Sequence, residues 1–194
     1  MVAVPSTMLA LGTPVPDFEL ADVVSGRRVS PADYRGCRAL LVMFISRHCP
    51  YVQHVKDQLA AISRDYAANP VGIVGISSND VVNYPDDSPE RLKAAASEWG
   101  WQFPVCHDET QEVAKAYSAA CTPDFFLFDA DGRLAYRGQL DESRPGNGKP
   151  VDGRDLRGAI DALLAGKAPA RDQRASIGCN IKWKKGNEPA YFRY

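Results

Sequence analysis

Five cysteines are the residues of this chain with the most distinctive chemistry, and they stand at positions 37, 49, 106, 121 and 179. This odd, scattered set does not resemble the paired framework of a small secreted scaffold. In a reducing compartment such thiols are structural, reactive or metal-bound. Cys49 stands apart because an apolar run precedes it and Pro50 follows it directly. When it is deprotonated, a cysteine in such a setting is a nucleophile toward disulfides.

The sequence around Cys49 predicts a strand that leads directly into a helix. The apolar run 40–45 has the length of one buried strand, and the apolar side chains of 52, 55, 59, 62 and 66 repeat at the spacing of one helix face. We expect this helix to end near Ala68, before Asn69-Pro70. Pro50 suits the first helical position, which makes Cys49 the predicted N-cap. The positive end of the helix would then stabilise a thiolate there.

Arg47 and His48 precede Cys49 and add positive charge to the predicted site. Cations beside a thiol lower its pKa, so we expect both residues to assist Cys49. The competing interpretation treats Cys49 as a small buried core residue, because free cysteines are often simply packed. Asn79 and Asp80 follow the next buried run, at a strand end where sites in open sheets gather, but they are equally typical of a polar turn.

The rest of the chain predicts a mixed sheet around this unit. A strand over 71–76 follows the first helix, and a connection of that length predicts a right-handed parallel crossover. Residues 124–128 and 134–139 flank an Asp131-Gly132 turn, which predicts an antiparallel pair. Other predicted elements are a hairpin around Ser25-Gly26, a helix after Ser88-Pro89, a helix after an Asp108/Gln111 capping box, and a last helix presenting residues 156–164.

The totals predict one α/β domain over residues 1–194. The chain has 23 Lys and Arg against 24 Asp and Glu, and 45% of its residues are hydrophobic, so neither nucleic acid nor a membrane surface is favoured as a partner. No apolar run spans a membrane and the N-terminus lacks a signal-peptide pattern, which predicts a cytoplasmic protein. The tail, 167–194, carries large apolar residues and should pack back on the domain. Its basic residues, Lys182, Lys184, Lys185 and Arg193, are expected to be solvated.

The order of these elements resembles the thioredoxin fold, a central mixed sheet flanked by helices, here with an N-terminal hairpin and a C-terminal tail. More closely, five segments are similar to peroxiredoxin-like family 1, a group of redoxin or thioredoxin-like proteins. They are His48-Cys49-Pro50-Tyr51-Val52, residues 121–127, residues 136–141, residues 144–147 and residues 176–183. The resemblance implies a thiol site of antioxidant type. It also implies a cis Thr122-Pro123 bond beside Cys49, with Pro50, Tyr51, Thr122 and Pro123 contacting substrate.

Departures from better-known relatives narrow the chemistry that the resemblance implies. Val52 stands where a thioredoxin has its second cysteine, so no local disulfide can form. Val52 also matches the peroxidatic cysteine of true peroxiredoxins, and Cys49 matches the threonine of their motif, which argues against the usual peroxidase reaction. Met43 replaces the buried aspartate of thioredoxin, and Ser46 stands where some relatives carry an additional cysteine.

We therefore expect a thiol-disulfide oxidoreductase in which Cys49 attacks a disulfide, with no cofactor and with an unidentified thiol as reductant. The resolving group is Cys121, which the fold would bring across from Cys49, or Cys179 in the tail, or an external thiol. One alternative is a metal or haem module that uses Cys49 with His48, His54 or Cys121. The other is an interaction protein whose thiol has no catalytic role.

Overall fold

The computed structural model describes residues 2–192; Met1, Arg193 and Tyr194 lie outside that part of the chain. In chain order the strands are β1 Ala3–Pro5, β2 Leu20–Ala21, β3 Arg28–Val29, β4 Ala39–Phe44, β5 Val71–Ser77, β6 Val105–His107, β7 Cys121–Thr122, β8 Asp124–Asp129, β9 Leu134–Gly138 and β10 Ile177–Asn180. The α-helices are α1 Pro50–Asp65, α2 Pro89–Glu98, α3 Glu112–Ala116 and α4 Arg154–Leu164.

A five-stranded mixed sheet in the order β6-β5-β4-β8-β9 forms the centre of the fold. Strand β4 lies parallel to β5 and antiparallel to β8, and all six of its residues are buried. Because strand residues alternate between faces, Leu41 packs with α1, α2 and α4 on one face, whereas Val42 packs on the other face with α3 and the tail. The segment that leads to Cys49 therefore starts at the carboxyl end of a strand that is buried on both faces.

Most predicted elements are present, and two details differ. The first helix ends at Asp65 rather than near Ala68, because its last turn tightens ahead of Pro70, which disfavours helical backbone in the residue before it. The predicted Asp108/Gln111 capping box is wrong. Gln111 is itself the N-cap of α3, in the left-handed region at φ 66°, and the buried Asp108 carboxylate accepts hydrogen bonds from the Ala114 amide and the Ser78 hydroxyl.

The tail packs on the domain as expected, and it does so through a strand that the sequence pattern did not predict. Strand β10 lies between β1 and β7 in a separate three-stranded antiparallel sheet. The predicted solvation of Lys182 is wrong: this residue is only 7% exposed, and its amine donates hydrogen bonds to the carbonyl and side-chain oxygens of Asn180. Within residues 2–192 no helix is both long and apolar enough to cross a membrane.

Candidate active site

Cys49 is the N-cap of α1, as predicted, with Pro50 in the first helical turn. Backbone bonds between β4 and its neighbours fix the start of the connection, and the helix begins at Pro50, five residues after the last predicted strand residue, Ile45. The side chain of Cys49 is completely buried, so its surroundings rather than bulk water set its chemistry. Val52, one turn into the helix, is equally buried and packs in the core as the helical periodicity predicts.

The sulfur of Cys49 is surrounded by groups that favour its ionised form. A hydrogen bond from the Cys179 thiol is the main reason that the pKa of Cys49 falls to about 6; burial opposes this shift, and the Thr122 side chain and the Val52 amide add to it. The sulfur makes no capping hydrogen bond of ordinary geometry to the first-turn amides, so the helix acts through its field. As a thiol, Cys49 donates to the Thr122 carbonyl oxygen at 3.0 Å.

Cys179 lies against Cys49 because β10 pairs with β7 in a register that places Cys179 opposite Thr122. The adjacent Cys49 sulfur raises the pKa of Cys179 far above its ordinary value, and burial adds to the increase. The Tyr51 amide also faces the Cys179 sulfur, so both sulfurs lie at the start of α1. The two pKa shifts have opposite signs, so the pair favours ionisation at Cys49 and protonation at Cys179.

Cys121 is also close, but its environment is different. It lies next to Thr122 in β7, opposite Asn180, and it is completely buried. Its thiol donates to the carbonyl oxygen of Pro123 at 3.6 Å. Burial, with the nearby Asp124 carboxylate, raises the pKa of Cys121 well above its usual value. The structure thus brings together all three predicted site cysteines, and only Cys49 is held near ionisation at neutral pH.

The residues expected to contact substrate lie around the Cys49–Cys179 pair. The Thr122–Pro123 peptide bond is cis, and Pro50 is exposed at the first turn of α1. Tyr51 and Pro123 line a depression of about 10 Å³ together with Ser176 and Ile177 of the tail. That volume holds at most one water molecule. The tail therefore occupies the surface beside the cis-proline.

Asp87 is the site residue that sequence reasoning missed. Its fully buried carboxylate accepts hydrogen bonds from the Ser46 hydroxyl at 2.8 Å, the Arg47 amide at 2.6 Å and the Asn79 side chain at 2.6 Å, and it pairs with Nδ1 of His48 at 2.7 Å. Burial works against ionisation, but these bonds outweigh it and lower the pKa of Asp87. The bond to Asp87 in turn raises the pKa of His48.

Asn79 connects this carboxylate to the tail. Its side-chain oxygen accepts the Lys182 amide at 2.8 Å, while the Asp80 amide donates to the Lys182 carbonyl at 2.8 Å. The buried side chain of Gln111 donates to that same carbonyl at 2.9 Å. Asn79 and Asp80 are thus more than a polar turn. One network fixes the loop before Cys49 and the segment after Cys179.

Two further expectations are changed by the geometry. The Arg47 guanidinium lies 3.4 Å from the exposed carboxylate of Asp86. Its charge is therefore partly neutralised by Asp86 and does not act on the Cys49 sulfur alone. The imidazole of His54 bonds to Ser143 at 2.8 Å. Across residues 2–192 no group of three or more His, Cys, Asp or Glu side chains converges in a way that could hold a metal ion. The metal-module alternative therefore has no ligand set in the described part of the chain.

The comparison with known proteins agrees with this architecture. Residues 11–137 match the model of the AhpC/TSA family. The chain belongs to the AhpC/TSA family. Among solved structures, this AhpC/TSA protein resembles an uncharacterized conserved protein from Geobacillus kaustophilus, with 52% identity, a TM-score of 0.93, and coverage of 95% of this chain and 97% of that one.

More distant matches carry functional names. Thiol-disulfide oxidoreductase ResA of Geobacillus thermodenitrificans is 27% identical over 66% of this AhpC/TSA chain and 68% of its own length. The thioredoxin domain of a thiol-disulfide oxidoreductase from Bacteroides vulgatus superposes with a TM-score of 0.60 at 20% identity, covering 77% of this chain and 96% of that one. The predicted thioredoxin-like fold is confirmed, and so is the resemblance to the redoxins.

Proposed function

We propose that this protein is a thiol-disulfide oxidoreductase in which Cys49 is the nucleophile and Cys179 is its resolving partner. The observation that carries the proposal is the hydrogen-bonded pair of sulfurs at the start of α1, with the pKa of Cys49 lowered to about 6 and that of Cys179 raised. A nucleophile that is ionised at neutral pH beside a thiol that keeps its proton is the reduced form of a reactive dithiol.

The reaction conserves atoms and electrons without a cofactor. The Cys49 thiolate attacks one sulfur of a substrate disulfide, forms a mixed disulfide, and releases the other substrate sulfur as a thiolate that takes up a proton. Cys179 then loses its proton and attacks the Cys49 sulfur, which releases the second substrate thiol. The substrate gains two electrons and two protons, and the protein is left with a Cys49–Cys179 disulfide. Two thiols of the surroundings, or one dithiol, then reduce the Cys49–Cys179 bond in two exchange steps and are themselves joined in a disulfide.

Cys179 is preferred to Cys121 as the partner because of position and ionisation. Cys179 shares a hydrogen bond with Cys49, whereas the Cys121 thiol is directed at the Pro123 carbonyl. A peroxidase reaction of the usual kind is not part of the proposal, because Val52, which matches the peroxidatic position, is an apolar residue buried in the core.

Asp87 and His48 support the nucleophile in this proposal. The carboxylate raises the pKa of His48, which favours its cationic form next to Cys49, and accepts the Arg47 amide, so it positions the loop that precedes the reactive sulfur. A positive charge on His48 and the field at the start of the helix both favour a negative charge on Cys49. Asp87 is thus a positioning residue, because it acts through its neighbours and lies away from the sulfur itself.

The test is a single-turnover reaction of the reduced protein with an aromatic disulfide reagent whose released thiol absorbs light. All proteins carry Cys37→Ser, which removes a partly exposed thiol outside the site. The parent should release two chromophores rapidly, one for each exchange step. Cys179→Ala should release one and retain a mixed disulfide on Cys49, and Cys121→Ala, the matched control, should behave as the parent. Undiminished release from Cys49→Ser would end the proposal.

Burial is the observation that favours the non-catalytic alternative. The Cys49 side chain is unexposed, and Cys179 is only 3% exposed, so an external disulfide reaches either sulfur only when β10 separates from β7. If neither sulfur of the folded protein reacted with the aromatic disulfide while the unfolded protein reacted fully, the pair would be structural. The same assay therefore distinguishes the two functions.

A further inference from the structure

Strand β10 occupies the edge of β7 that lies directly over Cys49. Cys179 pairs with Thr122 and Asn180 with Cys121, and the Ile181 amide continues the contact by donating to the Ala120 carbonyl at 3.0 Å. These are backbone interactions, so they depend on an extended chain in the correct register more than on particular side chains. The tail thus sits on this edge as an extended peptide would.

Gly178 makes this close approach possible. A Cβ atom at position 178 would lie 2.0 Å from the Thr122 carbonyl oxygen and 3.1 Å from the Pro123 nitrogen, and both are backbone atoms that cannot rotate away. Gly178 does not have a positive φ, so space rather than backbone conformation requires glycine here. The same Thr122 oxygen accepts the Cys49 thiol, so glycine at 178 is what allows the next residue to reach that sulfur.

We infer that the Cys121–Thr122 edge is a docking site for an extended polypeptide in which glycine immediately precedes the cysteine that reacts with Cys49. The inference rests on the proposed function and adds the substrate class to it. The protein's own Gly178-Cys179 is the resident occupant, and a substrate segment of the same form takes its place when β10 leaves. Any other residue before the cysteine meets the Thr122 carbonyl, which keeps the incoming sulfur away from Cys49.

The first experiment tests the resident strand. In Gly178→Ala, air-free oxidation with a stoichiometric disulfide reagent should form the Cys49–Cys179 bond at least about tenfold more slowly than in the parent, as judged by mass mapping. Gly158→Ala is the matched control, because a Cβ there meets nothing within 4 Å. Equal rates in Gly178→Ala and the parent would overturn the role of Gly178. Circular dichroism checks that each variant folds.

The second experiment tests external substrates and does not depend on Gly178→Ala folding. Full-length Cys179→Ala protein is mixed with activated disulfides of two peptides, Ile-Gly-Cys-Asn and Ile-Ala-Cys-Asn. The glycine peptide should form the mixed disulfide with Cys49 at least about tenfold faster than the alanine peptide. Equal rates would overturn the inference but leave the proposed function intact. If Cys49 also failed to react with a small aromatic disulfide, the proposed function itself would fail.

Discussion

The sulfurs of Cys49 and Cys179 share a hydrogen bond, which lowers the pKa of Cys49 and raises that of Cys179. This bond lowers the pKa of Cys49 more than the Thr122 side chain or the Val52 amide does. The contact joins two segments 130 residues apart into one thiol pair. It also means that the ionisation of Cys49 depends on whether the tail is in place.

Replacing Cys179 should therefore raise the pKa of Cys49. In the parent we expect the thiolate to appear with a midpoint near pH 6, below which the sulfur is protonated. In Cys179→Ala the midpoint should move toward 9, the ordinary value, and the thiolate fraction at pH 6 should fall by about tenfold or more. Cys179→Ser should lie between them, because its hydroxyl still donates.

The measurement is the ultraviolet absorbance of the thiolate as a function of pH, taken as the difference between each protein and the same protein lacking Cys49. This difference removes the cysteines outside the Cys49–Cys179 pair from the titration. An unchanged midpoint in Cys179→Ala would mean that the helix and His48, rather than Cys179, control the ionisation of Cys49.

Removing the charge of Asp87 should release His48 from its cationic form. In Asp87→Asn the pKa of His48 should fall toward 6.5, its ordinary value, because the bond to Asp87 is the main cause of its increase. Asp86→Asn is the matched control, since Asp86 is an exposed neighbour that contacts Arg47 and Arg91. An NMR titration of the His48 ring measures the shift. A His48 pKa that did not move in Asp87→Asn would contradict the assigned pairing.

The same pair should make stability depend on pH in a defined window. The folded pKa of His48 is raised, so its contribution is fully present below 6.5 and is lost as pH rises through the folded value. The folded pKa of Asp87 is lowered, so its contribution is fully present above 3.8 and is lost as pH falls through the folded value.

Urea unfolding of the parent and Asp87→Asn should therefore differ most between pH 3.8 and 6.5. A second variant, Asp87→Ala, removes the buried carboxylate altogether. It should lose about 3–5 kcal/mol of unfolding free energy in that window, as expected for breaking a buried pair. Asp86→Ala should lose about 1 kcal/mol or less, because its ion pairs are at the surface. A difference that is constant across pH would show that Asp87 acts only as a hydrogen-bond acceptor.

The sequence predicts the position of Cys49 because that position is set locally. Pro50 and the helical repeat that includes Val52 and Leu59 are enough to place Cys49 at an N-cap. Asp87 could not be found in the same way, since its partners lie near residue 47 and its own segment is an ordinary acidic turn. Only the packing of the loop after β5 against the loop after β4 gives this carboxylate a role.

The tail shows the second limit of the sequence pattern. Strand β10 is four residues long and includes Gly178, so it has neither the length nor the alternation that identifies a strand. Lys182 was expected in solvent because charged residues usually are, yet its backbone is bound by Asn79, Asp80 and Gln111. Long-range hydrogen bonds, which have no local signature, decide where this segment lies.

Loosening the tail should expose Cys49, and Gln111 is the residue at which to do so. Its buried amide donates to the Lys182 carbonyl at 2.9 Å, and its side-chain oxygen accepts the Lys184 amide at 2.9 Å. Gln111→Ala removes both bonds. The Lys182 carbonyl keeps the Asp80 amide as a donor, but the Lys184 amide loses this acceptor, at a cost of about 1–3 kcal/mol that should increase tail opening about tenfold. Alkylation of Cys49 at neutral pH should accelerate by the same factor.

Gln102→Ala is the control, because that side chain is exposed and makes no bond to the tail. Hydrogen exchange of residues 180–183 reports tail opening independently of the thiol. If exchange accelerated in Gln111→Ala while alkylation of Cys49 did not, a different segment would control access to the sulfur. If both accelerated together, the strand that supplies the resolving thiol would also be the one that excludes other disulfides from the nucleophile.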